Sequence, residues 1–212
     1  MSLHAEQALC FVADGLQLEG RLALPSSASR AAVICHPHPQ YGGDMHNNVV
    51  ATVTAGLSAA GVATLRFNFR GVGASEGAYA NGVGEANDAR AAIAFLRNRL
   101  DTGAISLVGY SFGAYVALLA GHDHPDVARL VAIAPPVAMI DVSFLNECRI
   151  PKLLVVGERD QYCPPTTLER FFNGLSEPKS CVQLPGDVDH FFFGHESAVA
   201  AHVIHFVTAE QP

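Results

Sequence analysis

No run of apolar residues in this sequence is long enough to span a bilayer. The opening residues Met1-Ser2-Leu3-His4-Ala5-Glu6 lack the basic and apolar regions of a secretion signal. Cysteine is sparse, with five residues at positions 10, 35, 148, 163 and 181, an odd number without paired spacing. That pattern excludes a disulfide framework and leads to the expectation of a reducing, cytoplasmic setting. Charge is scarce as well, 16% of residues with a net charge of -7 and no basic patch, which argues against nucleic acid as a partner. Internal repeats and low-complexity segments are missing too. The partner expected from these absences is a small molecule, with neither nucleic acid nor membrane, for a monomer or homodimer.

What is present is a chain of 212 residues, half of them hydrophobic. That suffices for one α/β domain over residues 1–212 with a sizeable core. Its organising stretch is Leu107-Val108-Gly109-Tyr110-Ser111-Phe112-Gly113-Ala114. An apolar run from Ile105 reads as a buried strand, and Ala114–Ala120 reads as a helix. A Gly-x-Ser-x-Gly turn between strand and helix is the nucleophile-elbow pattern. So tight a turn strains the serine backbone, and glycines two positions away on either side avoid collision with the neighbouring strand or helix. The serine hydroxyl then stands at the carboxyl edge of a sheet, at the positive end of a helix.

The remaining segments follow α/β order. Ala8–Val12 and Leu16–Leu24 read as an antiparallel edge pair turned at Asp14-Gly15, with Leu16, Leu18, Gly20, Leu22 and Leu24 on one face. Pro25-Ser26-Ser27-Ala28-Ser29 is a loop. Buried strands are expected at Arg30–Cys35, Val62–Phe67, Ile105–Tyr110, Ala128–Ala134, Lys152–Gly157 and Cys181–Leu184. Helices are expected at 45–60, with Asp44 as N-cap, and at 84–100, 111–121, 165–175 and 195–208. Asn68–Gly77 carries glycines without the Lys-Ser/Thr of a phosphate loop and reads as structural.

Three chemistry-bearing residues fall after three different strands, in the order Ser111, Asp160, His190 expected of this elbow fold. A serine hydroxyl needs a base to take its proton, the role open to His190. An acid orients and stabilises the imidazole, the role open to Asp160. Asp187 and Asp189 compete for that role but share a loop with His190, and Asp189 reads as a turn cap. An oxyanion hole requires the Phe112 amide and one from the loop His36-Pro37-His38-Pro39-Gln40-Tyr41. His38 is the choice, lying between two prolines that have no N–H, with Gln40 and Tyr41 as alternatives. His36, His38, Asp44 and His46 match no standard zinc spacing, so neither metal nor other cofactor is expected. The expected pocket walls are Tyr41, Phe112, Tyr162, Phe191 and Phe192.

These residues resemble the α/β-hydrolase superfamily, through Gly109–Gly113, Gly157-Glu158-Arg159-Asp160 and Asp189-His190-Phe191-Phe192. The 36–39 loop with Gly42, Gly43 and Asn47, together with Phe67–Gly77, is similar to a bacterial subgroup of small hydrolases related to dienelactone hydrolases and carboxylesterases. The resemblance implies a mostly parallel eight-stranded sheet with helices on both faces. It also implies hydrolysis of small or medium carboxylic esters or thioesters through an acyl-enzyme. One departure is the nucleophile: dienelactone hydrolases carry cysteine where position 111 is serine, which shifts the expectation from that lactone hydrolysis to esters. The family often inserts a lid where this chain has only 137–151, too short for a separate lid domain. Two alternatives stand beside it: a non-catalytic member binding a ligand or protein in the same cleft, and a peptidase of the superfamily.

Overall fold

In a computed structural model, which describes residues 5–26, 28–100 and 104–210, the strands are of two kinds. Met1–His4 of the opening stretch and Ser27 of the first loop lie outside the described residues. The alternating strands are β1 (Gln7–Ala13) and β2 (Leu16–Ala23). They turn through Asp14 and Gly15 at φ 51° and 82°, the left-handed conformation that a tight hairpin demands. Leu18, Gly20 and Leu22 are buried and Gln17 is exposed, as alternation predicts. Leu24 departs from that pattern. The pairing of β2 with its inner neighbour ends at Ala23, so nothing holds Leu24 in register, and it is exposed.

The apolar runs form β3 (Arg30–Cys35), β4 (Ala63–Phe67), β5 (Ala104–Tyr110), β6 (Val127–Ile133), β7 (Lys152–Gly157) and β8 (Lys179–Leu184). The eight strands lie in the order β1-β2-β4-β3-β5-β6-β7-β8. The β1–β2 and β2–β4 pairs are antiparallel, and every other pair is parallel. Successive strand residues feed opposite cores, as the two-residue period requires. Val33, Leu65 and Leu107 pack under the helices α2 (Val83–Arg97) and α3 (Phe112–Gly121). Leu168 of α4 (Pro165–Gly174) joins that side. Ile34, Val108 and Val155 pack under α1 (Asn48–Ala59) and α5 (Glu196–Thr208).

The start of α1 differs from the sequence reading. Asn47, not Asp44, caps the helix, its Oδ1 accepting from the Val49 and Val50 amides at 3.0 and 3.4 Å. Asp44 closes a separate turn by accepting from the His46 amide at 2.7 Å. Met45 is withheld from the helix because it is buried and its amide donates to Asn68 Oδ1 at 2.8 Å. Between β6 and β7 the chain forms a single 3₁₀ turn, Ser143–Leu145, and no lid domain. Among the described residues no helix is long and apolar enough to cross a membrane.

Two features of this sheet position a site. Parallel strands deliver their following loops to one edge, and β3 and β5 are neighbours although β4 and β6 lie on opposite sides of them. That is a topological switch point, where loops part and leave a crevice at the carboxyl ends of the strands.

Candidate active site

Ser111 sits at the crevice between the end of β5 and the start of α3, with φ 55° and ψ −119°. Its amide is fixed by donation to the Ile133 carbonyl of β6 at 2.8 Å. The flanking glycines are required by contact. A Cβ on Gly109 would stand 2.0 Å from the Gly113 carbonyl oxygen, and one on Gly113 would stand 2.4 Å from the Cys35 and His36 carbonyl oxygens. The second contact shows how closely the start of α3 abuts the end of β3.

Ser111 Oγ and His190 Nε2 are 2.8 Å apart. On the other side of the ring, Nδ1 lies 3.0 and 2.9 Å from the two carboxylate oxygens of Asp160. With the carboxylate at Nδ1, the ring can donate there and present Nε2 to the Ser111 hydroxyl. Asp160 is buried, and its Oδ1 also accepts from the Tyr162 and Cys163 amides at 2.8 and 3.2 Å. The carboxylate is therefore locked by its own loop before it meets the histidine. A Cβ on Gly157 would lie 2.4 Å from the Val188 carbonyl oxygen, so glycine there lets the His190 loop approach the end of β7. The sequence reading missed that requirement, although the glycine precedes Asp160 by three positions.

The competing acids are engaged elsewhere. Asp189 closes a turn by accepting from the Phe191 amide at 2.9 Å, and Asp187 pairs with Arg159 at 2.8 Å in an exposed position. Cys163, which follows the Asp160 loop, is no rival nucleophile: burial, with Asp160 as a second cause, pushes its thiol up to about 12.

The loop after β3 frames the opposite side. His36 is fully buried; Nδ1 donates to the Pro37 carbonyl at 2.7 Å and Nε2 accepts from the Phe69 amide at 3.0 Å. Burial drives its pKa down to about 4, so the ring is a neutral brace between two loops, with both nitrogens committed. His38 caps a 3₁₀ turn, Pro39–Tyr41, and its Nδ1 accepts from the Gln40 amide at 3.2 Å. The Tyr41 amide donates to the His38 carbonyl at 3.1 Å. Gln40 and Tyr41 thus spend their amides within the turn. The His38 amide takes no part in the turn's hydrogen bonds. The Phe112 amide, at the first position of α3, has no acceptor within the helix. The two rings lie 4.7 Å apart between centroids.

The expected walls divide. Tyr162 and Phe191 flank the His190 ring at 4.6 and 5.6 Å, and Tyr41 lies 4.8 Å from His38. Phe192 is a correction: at φ 55° the chain turns its ring away from the crevice, and it is fully buried in the core under α5. Tyr79, missed in the sequence, fills a place on the His38 side, its ring 5.0 and 5.8 Å from those of His38 and Phe112. Tyr110 was passed over too. It is buried, its hydroxyl donates to the His190 carbonyl at 3.0 Å, and burial raises its pKa, so it remains a donor. Its position inside the Gly-x-Ser-x-Gly motif was the available signal. Among the described residues no three His, Cys, Asp or Glu side chains converge as a metal-ligand group.

Comparison with known proteins places the chain in a family. Residues 14–162 match the family described as X-Pro dipeptidyl-peptidase (S15 family). A Rickettsia prowazekii (strain Madrid E) protein is 37% identical over 185 residues, 83% of this chain and 78% of that protein. The structure of an α/β serine hydrolase homologue from Coxiella burnetii is 34% identical, with a TM-score of 0.89 over 98% of this chain and 100% of that one. An α/β serine hydrolase without lid from Xanthomonas campestris is 30% identical, with a TM-score of 0.87 over 100% and 99% of the two chains. The chain belongs to the X-Pro dipeptidyl-peptidase (S15) family, on the lid-less α/β serine hydrolase fold.

Proposed function

We propose that the protein is a serine esterase that cleaves small or medium carboxylic esters, or their thioester counterparts, through an acyl-Ser111 intermediate. The observation that carries this reading is the continuous hydrogen-bonded line from Ser111 Oγ through the His190 ring to Asp160. In the first half-reaction His190 Nε2 takes the hydroxyl proton as Oγ bonds to the acyl carbon. The His38 and Phe112 amides receive the oxyanion, each such donor being worth about 3–4 kcal/mol in the transition state. Collapse breaks the bond to the leaving alcohol or thiol, which departs with the proton from His190. In the second half-reaction water gives His190 a proton and attacks the acyl carbon. The carboxylic acid leaves, and the proton returns to Ser111.

Substitution Ser111→Ala tests the reading. Turnover of a short-chain nitrophenyl ester is expected to fall to background while the far-ultraviolet circular dichroism stays unchanged. Wild-type activity in that variant refutes the assignment, and an inactive wild type across a panel of acyl lengths favours the non-catalytic alternative.

A second reading follows from the family match, namely removal of X-Pro dipeptides. Such a substrate brings a free ammonium group that needs a carboxylate in the cleft. The carboxylates of the loops after β7 and β8 are already engaged: Glu158 accepts from the Gly186 amide, Asp187 pairs with Arg159, Asp189 accepts from the Phe191 amide and Asp160 holds His190. That supports the ester. Assay of an X-Pro nitroanilide beside the nitrophenyl esters separates the two.

A further inference from the structure

The residues next to His190 say something about the leaving group. In the tetrahedral intermediate on Ser111 the four substituents point in different directions. The oxyanion faces the His38 and Phe112 amides, and the departing oxygen must face His190 Nε2 to collect its proton. Groups attached to that oxygen therefore emerge on the His190 side, and the side chains there meet the leaving group rather than the acyl group.

Those side chains form an aromatic row. The Tyr162 and Phe191 rings stand edge-on to the imidazole, at interplanar angles of 65° and 88°. Phe193 stacks on Phe191, with centroids 6.0 Å apart and planes inclined by 22°. The row runs outward, from Tyr162 and Phe191, 37% and 43% exposed, to Phe193, 73% exposed. Phe192 between them turns into the core at positive φ, so the same backbone feature that anchors the His190 loop presents its two neighbours together. The loop after β6 closes one flank: the Ala138 amide donates to the Tyr162 carbonyl at 3.3 Å, and the following Met139 is 70% exposed. Single exposed apolar residues are ordinary, but a contiguous aromatic strip that begins at the proton-transferring histidine is placed to bind something flat and apolar.

We propose that Tyr162, Phe191 and Phe193 form the leaving-group subsite, and that it selects esters of aromatic or other flat apolar alcohols over those of small alkyl alcohols. This rests on the triad reading above. An alcohol with a ring one carbon from the ester oxygen lies along the Phe191–Phe193 face while its oxygen remains at His190 Nε2. A methyl ester leaves that face uncovered.

The test holds the acyl group constant. Methyl acetate and 2-naphthylmethyl acetate give the same acetyl-Ser111, so kcat/KM reports only the acylation step, where the alcohol is still attached. Differences in intrinsic reactivity cancel when wild type and variant are compared on the same pair. Wild type is expected to prefer the naphthylmethyl ester, and Phe193→Ala to lower the ratio of the two kcat/KM values about three- to tenfold, the range one aromatic contact spans. Phe193 is exposed, so the variant is expected to fold. Leu24→Ala, an exposed apolar site just past β2, at the end of the strand order opposite β7 and β8, serves as control and leaves the ratio as it was. An unchanged ratio in Phe193→Ala overturns the subsite, as does no turnover of the naphthylmethyl ester by a wild type whose Ser111 still reacts with a fluorophosphonate. Failure of Ser111 to react at all overturns the triad reading as well, so the two failures are distinguishable.

Discussion

Ser111, Asp160 and His190 were legible because each follows a strand, so the sheet decides their meeting and the intervening chain does not. Residues that act on those three from the side were harder to see. Tyr110 reads as a core aromatic until its hydroxyl is found on the His190 carbonyl. Phe192 and Phe193 look alike in sequence, and one positive φ sends the first inward and leaves the second exposed. His36 belongs to the same scale. It is buried neutral with a pKa near 4 against the ordinary 6.5, so the unfolded chain takes up a proton where the folded one does not. Stability from this group is whole above pH 6.5 and is lost as pH falls, by about 3 kcal/mol in all on reaching pH 4. Urea unfolding between pH 7 and 4.5 is expected to show that decline in wild type. A His36→Gln variant, less stable at pH 7, is expected to lose the part of the slope due to one proton.

At the scale of the element, the elbow works because β5 and α3 leave no room. The close approach of Gly113 to the carbonyls of Cys35 and His36 sets Phe112 and His38 side by side. Gly113→Ala is expected to force β3 and α3 apart, since both contacts are with backbone and neither can yield by a rotamer change. Destabilisation of about 3 kcal/mol or more, with loss of esterase activity in whatever folds, is the outcome to look for by thermal melt and assay. Wild-type stability would show that the packing is looser than this. The start of α1 shows the limit of reading elements from sequence. Asp44 and Asn47 are both competent caps, and the choice between them was made by Asn68, distant in sequence, which claims the Met45 amide.

For the whole molecule, hydrophobic pattern and strand order carried most of the architecture, because a parallel sheet buried on both faces requires continuous apolar runs. Charged residues inside that frame were the part the pattern could not give. Lys152 opens β7 as if at the surface, yet it is almost fully buried. Its ammonium donates to the carbonyls of Cys148, Ser176 and Pro178 at 2.8, 2.9 and 3.4 Å. It ties the segment before β7 to the turn before β8, two connections that come together only in the finished fold. Lys152→Met keeps the stem and removes the donors. It is expected to cost about 2–3 kcal/mol from buried carbonyls left unpaired, measured by denaturant midpoint, without changing the ratio of esterase activities on different alcohols.

The account depends on one serine being made reactive by a histidine brought to it across the sheet. The direct measurement is intact-mass and peptide mass spectrometry after brief exposure to a fluorophosphonate, on wild type and on His190→Ala. A single adduct on Ser111 in the wild type, with labelling slowed at least a hundredfold in the variant, is the predicted result. An adduct on another serine, no adduct, or equal rates in the two proteins would contradict it.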